Sequence, residues 1–446
     1  MTTNKTTFKK YPAYKESGVE WLGEIPSNWK IGKLGTTLKP ISIKNHPNKK
    51  LLSITREKGV IVRDIENDDD NHNFIPDDLS GYKLLEKGQF GMNKMKAWQG
   101  SYGVSKHTGI VSPAYYVFKF ADDINPDFFH IAIRSKKYVS FFGQASDGVR
   151  IGQWDLSKDR MKKISFVIPS LEEQTAIANF LDEKTTKIDQ AIAQKEQLIA
   201  LLKERKQIII QHAVTKGLDT NAKMKDSGVE WIGEIPEGWS SVTKIKFISS
   251  LKGRQGWQGL KAQEYTDEGP HVLSSAHFNN YIIDWNKCPR VSIERYLMDE
   301  HIQLNIGDIL LMKDGANMGK LALVDNLPGL ACLNSHLLLF RSLNENEKPY
   351  YLPKYMFYHM ICREFQDYIK INGTGATFLG ISQESIGNYP ICLPPLQEQR
   401  KIADFLDVQS SKFEKSIYSQ QTQIKKLKEY KATLIDSAVT GKIKVI

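Results

Sequence analysis

A chain of 446 residues with 41% apolar and 25% charged side chains exceeds what one hydrophobic core supports, so at least two globular domains are expected. The 61 Lys and Arg outnumber the 51 Asp and Glu to give a net charge of +10, an excess that favours a polyanionic partner such as nucleic acid. Four cysteines without C-x-x-C spacing, and no apolar run of membrane length, argue against a disulfide framework, a zinc site, secretion and membrane insertion; the expected setting is cytoplasmic.

In chain order, the first patterned stretch is K-E-S-G-V-E-W-L-G-E-I-P-S-N-W at 15–29. Gly and Pro punctuate it, and Trp21 and Trp29 lie eight residues apart, which suits a loop pinned by aromatic anchors. It recurs at 225–239 with Trp231 and Trp239. Each copy is either a clip that docks a domain or a contact for a protein partner.

After the first copy, residues 30–170 mix β-rich runs at 50–54, 59–62 and 114–120 with one helix expected near 126–142. The acidic, Asn-rich stretch 64–78 reads as an exposed loop. A strand-like run and a Pro close the section at 164–169.

Residues 171–216 then form a stretch that occurs twice. Glu173, Gln174, Ile177, Ala178, Phe180, Leu181 and Asp182 recur 225 positions later as Glu398, Gln399, Ile402, Ala403, Phe405, Leu406 and Asp407. Neither copy has a Pro or Gly in its interior, and apolar residues recur at alternating steps of three and four, the coiled-coil spacing. The seam runs Ile192, Ile199, Leu202, Ile209 in one copy and Ile417, Ile424, Leu427, Leu434 in the other, with Lys195/Gln420 and Lys206/Lys431 at matching polar positions. An isolated helix of this kind has a bare apolar stripe. Pairing of the two copies as an intramolecular coiled coil covers it most simply; separate coverage by each domain is the alternative.

A linker with the second lead-in copy occupies 217–239, and 240–395 forms a second section on the same α+β plan, with strand-like runs at 308–312, 321–324 and 337–340 and a helix near 352–368. The second helix follows at 396–440, then a tail at 441–446. Apart from their closing strands, the two sections do not align. The frame is duplicated and its inserts have diverged.

No catalytic constellation stands out. The one Pro-Pro pair follows Leu393, so no methyltransferase D/N-P-P-Y/F/W tetrapeptide is present, and G-A-N-M-G-K-L from Gly315 is one residue too short for a phosphate-binding loop. That run reads as a hairpin turn or a DNA-facing loop. No histidine pair has metal-ligand spacing.

What remains is polar, basic and aromatic side chains on expected loops, able to neutralise phosphates and read base edges. In the first section these are Asn93, Lys94, Lys96, Trp98, Gln99, Ser101, Tyr102, Ser105, Lys106 and His107, with Arg150 beyond them. The second section offers Lys313, Asn317, Lys320, Asn334, Ser335 and His336, together with Arg254, Gln255, Trp257, Thr374 and Thr377.

These features resemble the specificity (S) subunit of type I restriction-modification systems. The resemblance rests on P-x-L-x-E-Q-x-x-I-A-x-F-L-D at 169–182 and 394–407, on the doubled S-G-V-E-W-x-G-E-I-P-x-x-W, and on G-D-I-L-L-x-K-x-G-x-x-x-G-K at 307–320. The first section departs from the last pattern with G-Q-F-G-M-N at 88–93. The resemblance implies two target-recognition domains of α+β class, separated by two long antiparallel helices as a pseudo-twofold repeat. It implies a non-catalytic subunit in which each domain reads one half of a bipartite, asymmetric site in double-stranded DNA, and the helices set the spacer. Two modification subunits that bind S-adenosylmethionine would dock on the duplicated frame, with two restriction subunits that use ATP and magnesium as an optional addition; this chain itself would bind no cofactor and no metal. Glu173, Gln174, Glu398 and Gln399, expected exposed at the helix starts, either cap and pack locally or meet the modification subunits with the four tryptophans.

Overall fold

The computed structural model describes residues 8–64, 75–148, 154–230, 232–253, 260, 262–375 and 379–445. The chain divides into two compact units, one built from Met1–Glu196 with Gln421–Ile446 and the other from Gln197–Gln420.

The first unit holds a four-stranded antiparallel sheet in the order Leu38–Ile41, Tyr115–Phe120, Phe90–Asn93, Tyr102–Val104. Residues 92–107, expected as one loop, thus contain the end of one strand and the whole of the next. Two helices, Pro126–Ile133 and Lys136–Gln144, follow the sheet. The first starts where Asn125 accepts from the backbone N–H groups of Asp127 and Phe128, with Pro126 in the first turn. The single helix expected over 126–142 is broken because Ser135 takes an extended conformation, φ −63° and ψ 153°. That turn brings Tyr138 and Phe142 into the core, where they join fully buried Phe90, Phe128, Phe129 and Phe166. Ring pairs such as Phe90–Phe129 at 5.2 Å and Tyr102–Phe142 at 4.6 Å fill the space between sheet and helices.

The second unit repeats the plan with Ser249–Gly253, Leu337–Ser342, Ile309–Met312 and Leu321–Leu323 in the same sheet order, all antiparallel. Its helix is again split, into Pro353–Ile361 and Arg363–Ile371, by an extended Cys362. A three-stranded sheet, in which Tyr265–Leu273 pairs antiparallel with Arg290–Val291 and parallel with Ala331–Leu333, adds a second core.

Each unit also takes a stretch of both long helices, Leu171–Lys216 and Leu396–Val439. In the first unit Lys431 Nζ lies 2.6 Å from an Asp189 carboxylate oxygen and Lys195 Nζ donates to Gln423 at 2.6 Å. Numbers rise along one helix as they fall along the other, so the pair is antiparallel. In the second unit Lys206 pairs with Glu414 at 2.8 Å, while Ile210 and Ala213 share a core with Ile402, Ala403 and Leu406. All eight apolar seam positions are buried or half-buried, and so are the four polar ones. Off the seam, Leu201 and Ile208 are exposed. The heptad register holds because two helices cover only the stripe that faces the partner.

Candidate nucleic-acid interface

In the first unit the candidate loop leaves the sheet at Asn93, which is buried: its Nδ2 donates to Tyr115 Oη at 3.2 Å and its Oδ1 accepts from Met95 N at 3.1 Å. Lys94 pairs with Asp155 at 2.9 Å, and Lys96 is exposed. A 3-10 turn, Ala97–Gln99, presents half-buried Trp98, whose ring lies 5.0 Å from Trp154. Lys106 and His107 at the far end are exposed.

Four expected contacts turn inward. Tyr102 is fully buried and donates to Ile133 O at 3.1 Å; burial drives its phenol well above the usual range. Ser101 is 2% exposed and Ser105 1%, and Ser105 Oγ donates to His107 O at 2.6 Å. These residues and Asn93 shape the loop from inside, because they lie on or beside strands rather than at a solvated tip.

Two residues that the sequence did not single out hold this loop. Arg134 donates from Nη1 to Tyr102 O at 2.6 Å and from Nη2 to Arg56 O and Glu57 O at 2.7 and 2.9 Å. His130 Nδ1 accepts from Val104 N at 3.0 Å, and burial lowers its pKa to about 4, so the ring is the neutral acceptor that this bond needs. Both are far from the loop in sequence, His130 on the helix Pro126–Ile133 and Arg134 capping its C-terminus, so only the fold reveals their role.

In the second unit three separate stretches meet. Lys313–Lys320 forms the turn between two sheet strands, with Gly319 N donating to Met312 O at 2.8 Å. Lys313 N donates to His336 O at 3.1 Å, and His336 Nδ1 lies 2.7 Å from Asp314 Oδ1. The stretch around Thr374 joins through Thr374 N to Gly380 O at 2.8 Å and Gly315 N to Leu379 O at 2.7 Å. Asn317, His336 and Thr374 are exposed, and Lys313, Asn334 and Ser335 half-buried. Lys320 is committed internally: Nζ donates to Ser275 O at 2.9 Å and sits 6.0 Å from the Phe278 ring centroid. Gly319 has φ +90°, and a Cβ there would come within 2.7 Å of Gln366 Oε1, so this turn requires glycine. Arg150, Arg254, Gln255, Trp257, Thr377 and Trp231 lie outside the described residues.

The duplicated frame is engaged within each unit. Trp29 is fully buried and Trp239 3% exposed; Trp239 Nε1 donates to Glu398 Oε1 at 3.1 Å, while Glu173 accepts from Asn28 Nδ2 at 3.4 Å. Trp21 packs on Tyr138 and Phe141. The expectation that these glutamates and glutamines are exposed is corrected: Glu173 is 5%, Gln174 0% and Gln399 1% exposed, and Glu398 is half-buried. Gln174 Oε1 accepts from Asn125 N at 2.8 Å, and Nε2 donates to Asp123 O and Pro169 O at 2.8 and 2.9 Å. Gln399 repeats this with Leu352 N at 2.8 Å, Tyr350 O at 3.2 Å and Pro394 O at 2.9 Å. Each glutamine satisfies three backbone groups where the long helix meets the sheet-bearing section before it, which a solvent-facing side chain does not do.

Among the described residues, no group of three or more His, Cys, Asp or Glu is placed to hold a metal ion, and no helix is long and apolar enough to cross a membrane.

The profile of the family described as the type I restriction modification DNA specificity domain matches residues 30–203 and 261–429. A chain designated the MjaX type I restriction enzyme specificity subunit, from Methanocaldococcus jannaschii, is 23% identical over 97% of this chain and 98% of its own length. The MjaVIII specificity subunit of the same organism is 25% identical over 69% of this chain and 68% of its own. Among solved structures, a chain from work on assembly and conformational transition of the type I R-M system superposes with a TM-score of 0.67 at 17% identity, covering 93% of this chain and 98% of its own. The HsdS subunit of Thermoanaerobacter tengcongensis gives 0.52 at 15% identity, over 94% and 98%.

Proposed function

Because the chain belongs to the type I restriction-modification DNA specificity family, we propose that it is the subunit that chooses the DNA sequence for such a complex, and that each unit reads one half of a bipartite, asymmetric site. The observation that supports this most is a repeated sheet order carrying unlike loops: Asn93–His107 in one unit, and Lys313–Lys320 with Asn334–His336 in the other. A duplicated scaffold with two different polar surfaces suits two different half-sites.

The long helices set the unread spacer. At 46 residues the first is about 70 Å long. The duplicated frame offers equivalent surfaces to two modification subunits, with restriction subunits as an optional addition to that assembly. The chain itself is non-catalytic and works in the cytoplasm; S-adenosylmethionine, ATP and magnesium belong to the partners.

Methylome sequencing of cells that carry the complex tests the reading. A bipartite methylated motif that depends on this chain is the expected result. Cleavage of DNA or binding of S-adenosylmethionine by the purified chain alone overturns it in favour of an autonomous enzyme.

A further inference from the structure

Outside the reading loop of the first unit, the fold gathers cations that are far apart in sequence. Tyr115 and Tyr116 begin the central sheet strand and pair with Asn93 and Met92, the two residues before the loop. Lys83 Nζ donates to Tyr115 O at 2.7 Å, and Lys158 Nζ stands 4.5 Å from the Tyr116 ring centroid. Leu84 N donates to Ile43 O at 2.8 Å, which brings Lys44 beside Lys83. Lys94 completes the group from the loop itself, with Asp155 at 2.9 Å as its counterion.

The proximity has an electrostatic consequence. Lys83 holds its proton less tightly than an ordinary lysine, first because of burial and then because of Lys158, Lys44 and Lys94. Asp155 offsets the charge of Lys94, but the ammonium groups of Lys44, Lys83 and Lys158 come together from separate segments and repel one another, and an anion lying over them relieves that repulsion. A row of DNA phosphates has the required charge, and association releases its condensed cations. The aromatic faces and the strand end place this platform at the edge of the loop that carries exposed Lys96, Lys106 and His107.

We propose that Lys44, Lys83, Lys94 and Lys158 form the phosphate-binding platform of the first recognition unit, gripping the DNA backbone beside the bases that the adjoining loop reads. The platform positions the duplex and carries no sequence information of its own. It rests on the DNA-recognition reading above and specifies which residues hold the backbone.

The test uses the complete methyltransferase assembly and a duplex bearing its methylated motif, with affinity measured across a salt series. Each lost phosphate contact should reduce the slope of log K against log salt by about 0.9. K44Q/K158Q should therefore lose about 1.8 of slope, equivalent to roughly a 12-fold smaller loss of affinity over a fourfold rise in salt. K44R/K158R should keep the wild-type slope, and the methylated motif should be the same in all three. K44Q alone, at an exposed position, should lose about 0.9, so the result does not depend on the double variant folding normally. A wild-type slope in K44Q overturns the proposal, as does a changed motif, which would mean base reading. If the wild-type assembly methylates no motif, the DNA-recognition reading falls and the platform with it.

Discussion

Gln399 illustrates how a polar side chain in the interior stabilises through the groups it leaves satisfied. Its amide meets one backbone N–H and two carbonyls at the start of the second long helix. Gln399→Ala strands all three, and should cost about 3 kcal/mol at roughly 1 kcal/mol or more for each buried group. Chemical denaturation of the purified chain measures this, and a loss below about 0.5 kcal/mol would contradict it. His359, 6% exposed with its Nε2 3.2 Å from Tyr389 Oη, and His130 both have pKa values lowered by burial from 6.5 to about 4. Between those values the unfolded chain binds more protons than the folded one, so stability is full above about pH 6.5 and is lost as pH falls toward 4. The loss is on the order of 3 kcal/mol for His359. Melting temperature should fall over that window, and His130→Asn should flatten part of the profile. The importance of Gln174 and Gln399 was legible in their repetition, but their direction was not, because an amide that follows a glutamate at a helix start looks solvated until the recognition section folds over it.

Among the elements, the helices were the most legible, since a seam recurring every 3.5 residues needs no tertiary context to be recognised. That seam predicts sharply different costs for similar substitutions. Leu434, 3% exposed, should lose about 2–5 kcal/mol on truncation to Ala. Leu201, 54% exposed, should change stability by no more than about 0.5 kcal/mol under the same truncation. Equal shifts in unfolding midpoint would mean that the register is wrong. The sheets were read less well. The strands Phe90–Asn93 and Tyr102–Val104 look like loop in sequence because Gly and Asn are mixed into them and Ser101 and Ser105 flank the second; they are strands because Tyr115–Phe120 pairs with the first and the first pairs with the second. The parallel pairing of Tyr265–Leu273 with Ala331–Leu333 joins segments with residues 274–330 between them, a distance over which local periodicity carries no signal.

For the whole molecule, the duplicated frame with unlike inserts predicts modular behaviour. Exchanging residues 30–169 for the corresponding section of a relative should change one half of the methylated motif and leave the other intact; methylome sequencing that found both halves altered would contradict separate readers. The two-unit arrangement has another consequence, for synthesis. The first unit contains residues from both ends of the numbering: Lys444 N donates to Lys9 O at 2.7 Å, and Leu434, Ala438 and Val439 share a core with Ile25 and Trp29. On the ribosome, that core waits for Gln421–Ile446 until the intervening 224 residues, Gln197–Gln420, have been translated, which takes on the order of 10–45 s at 5–20 residues per second. During that interval Ile188 and Ile192 lack their partners from the second helix, so the nascent chain carries uncovered apolar surface until Gln421–Ile446 emerge.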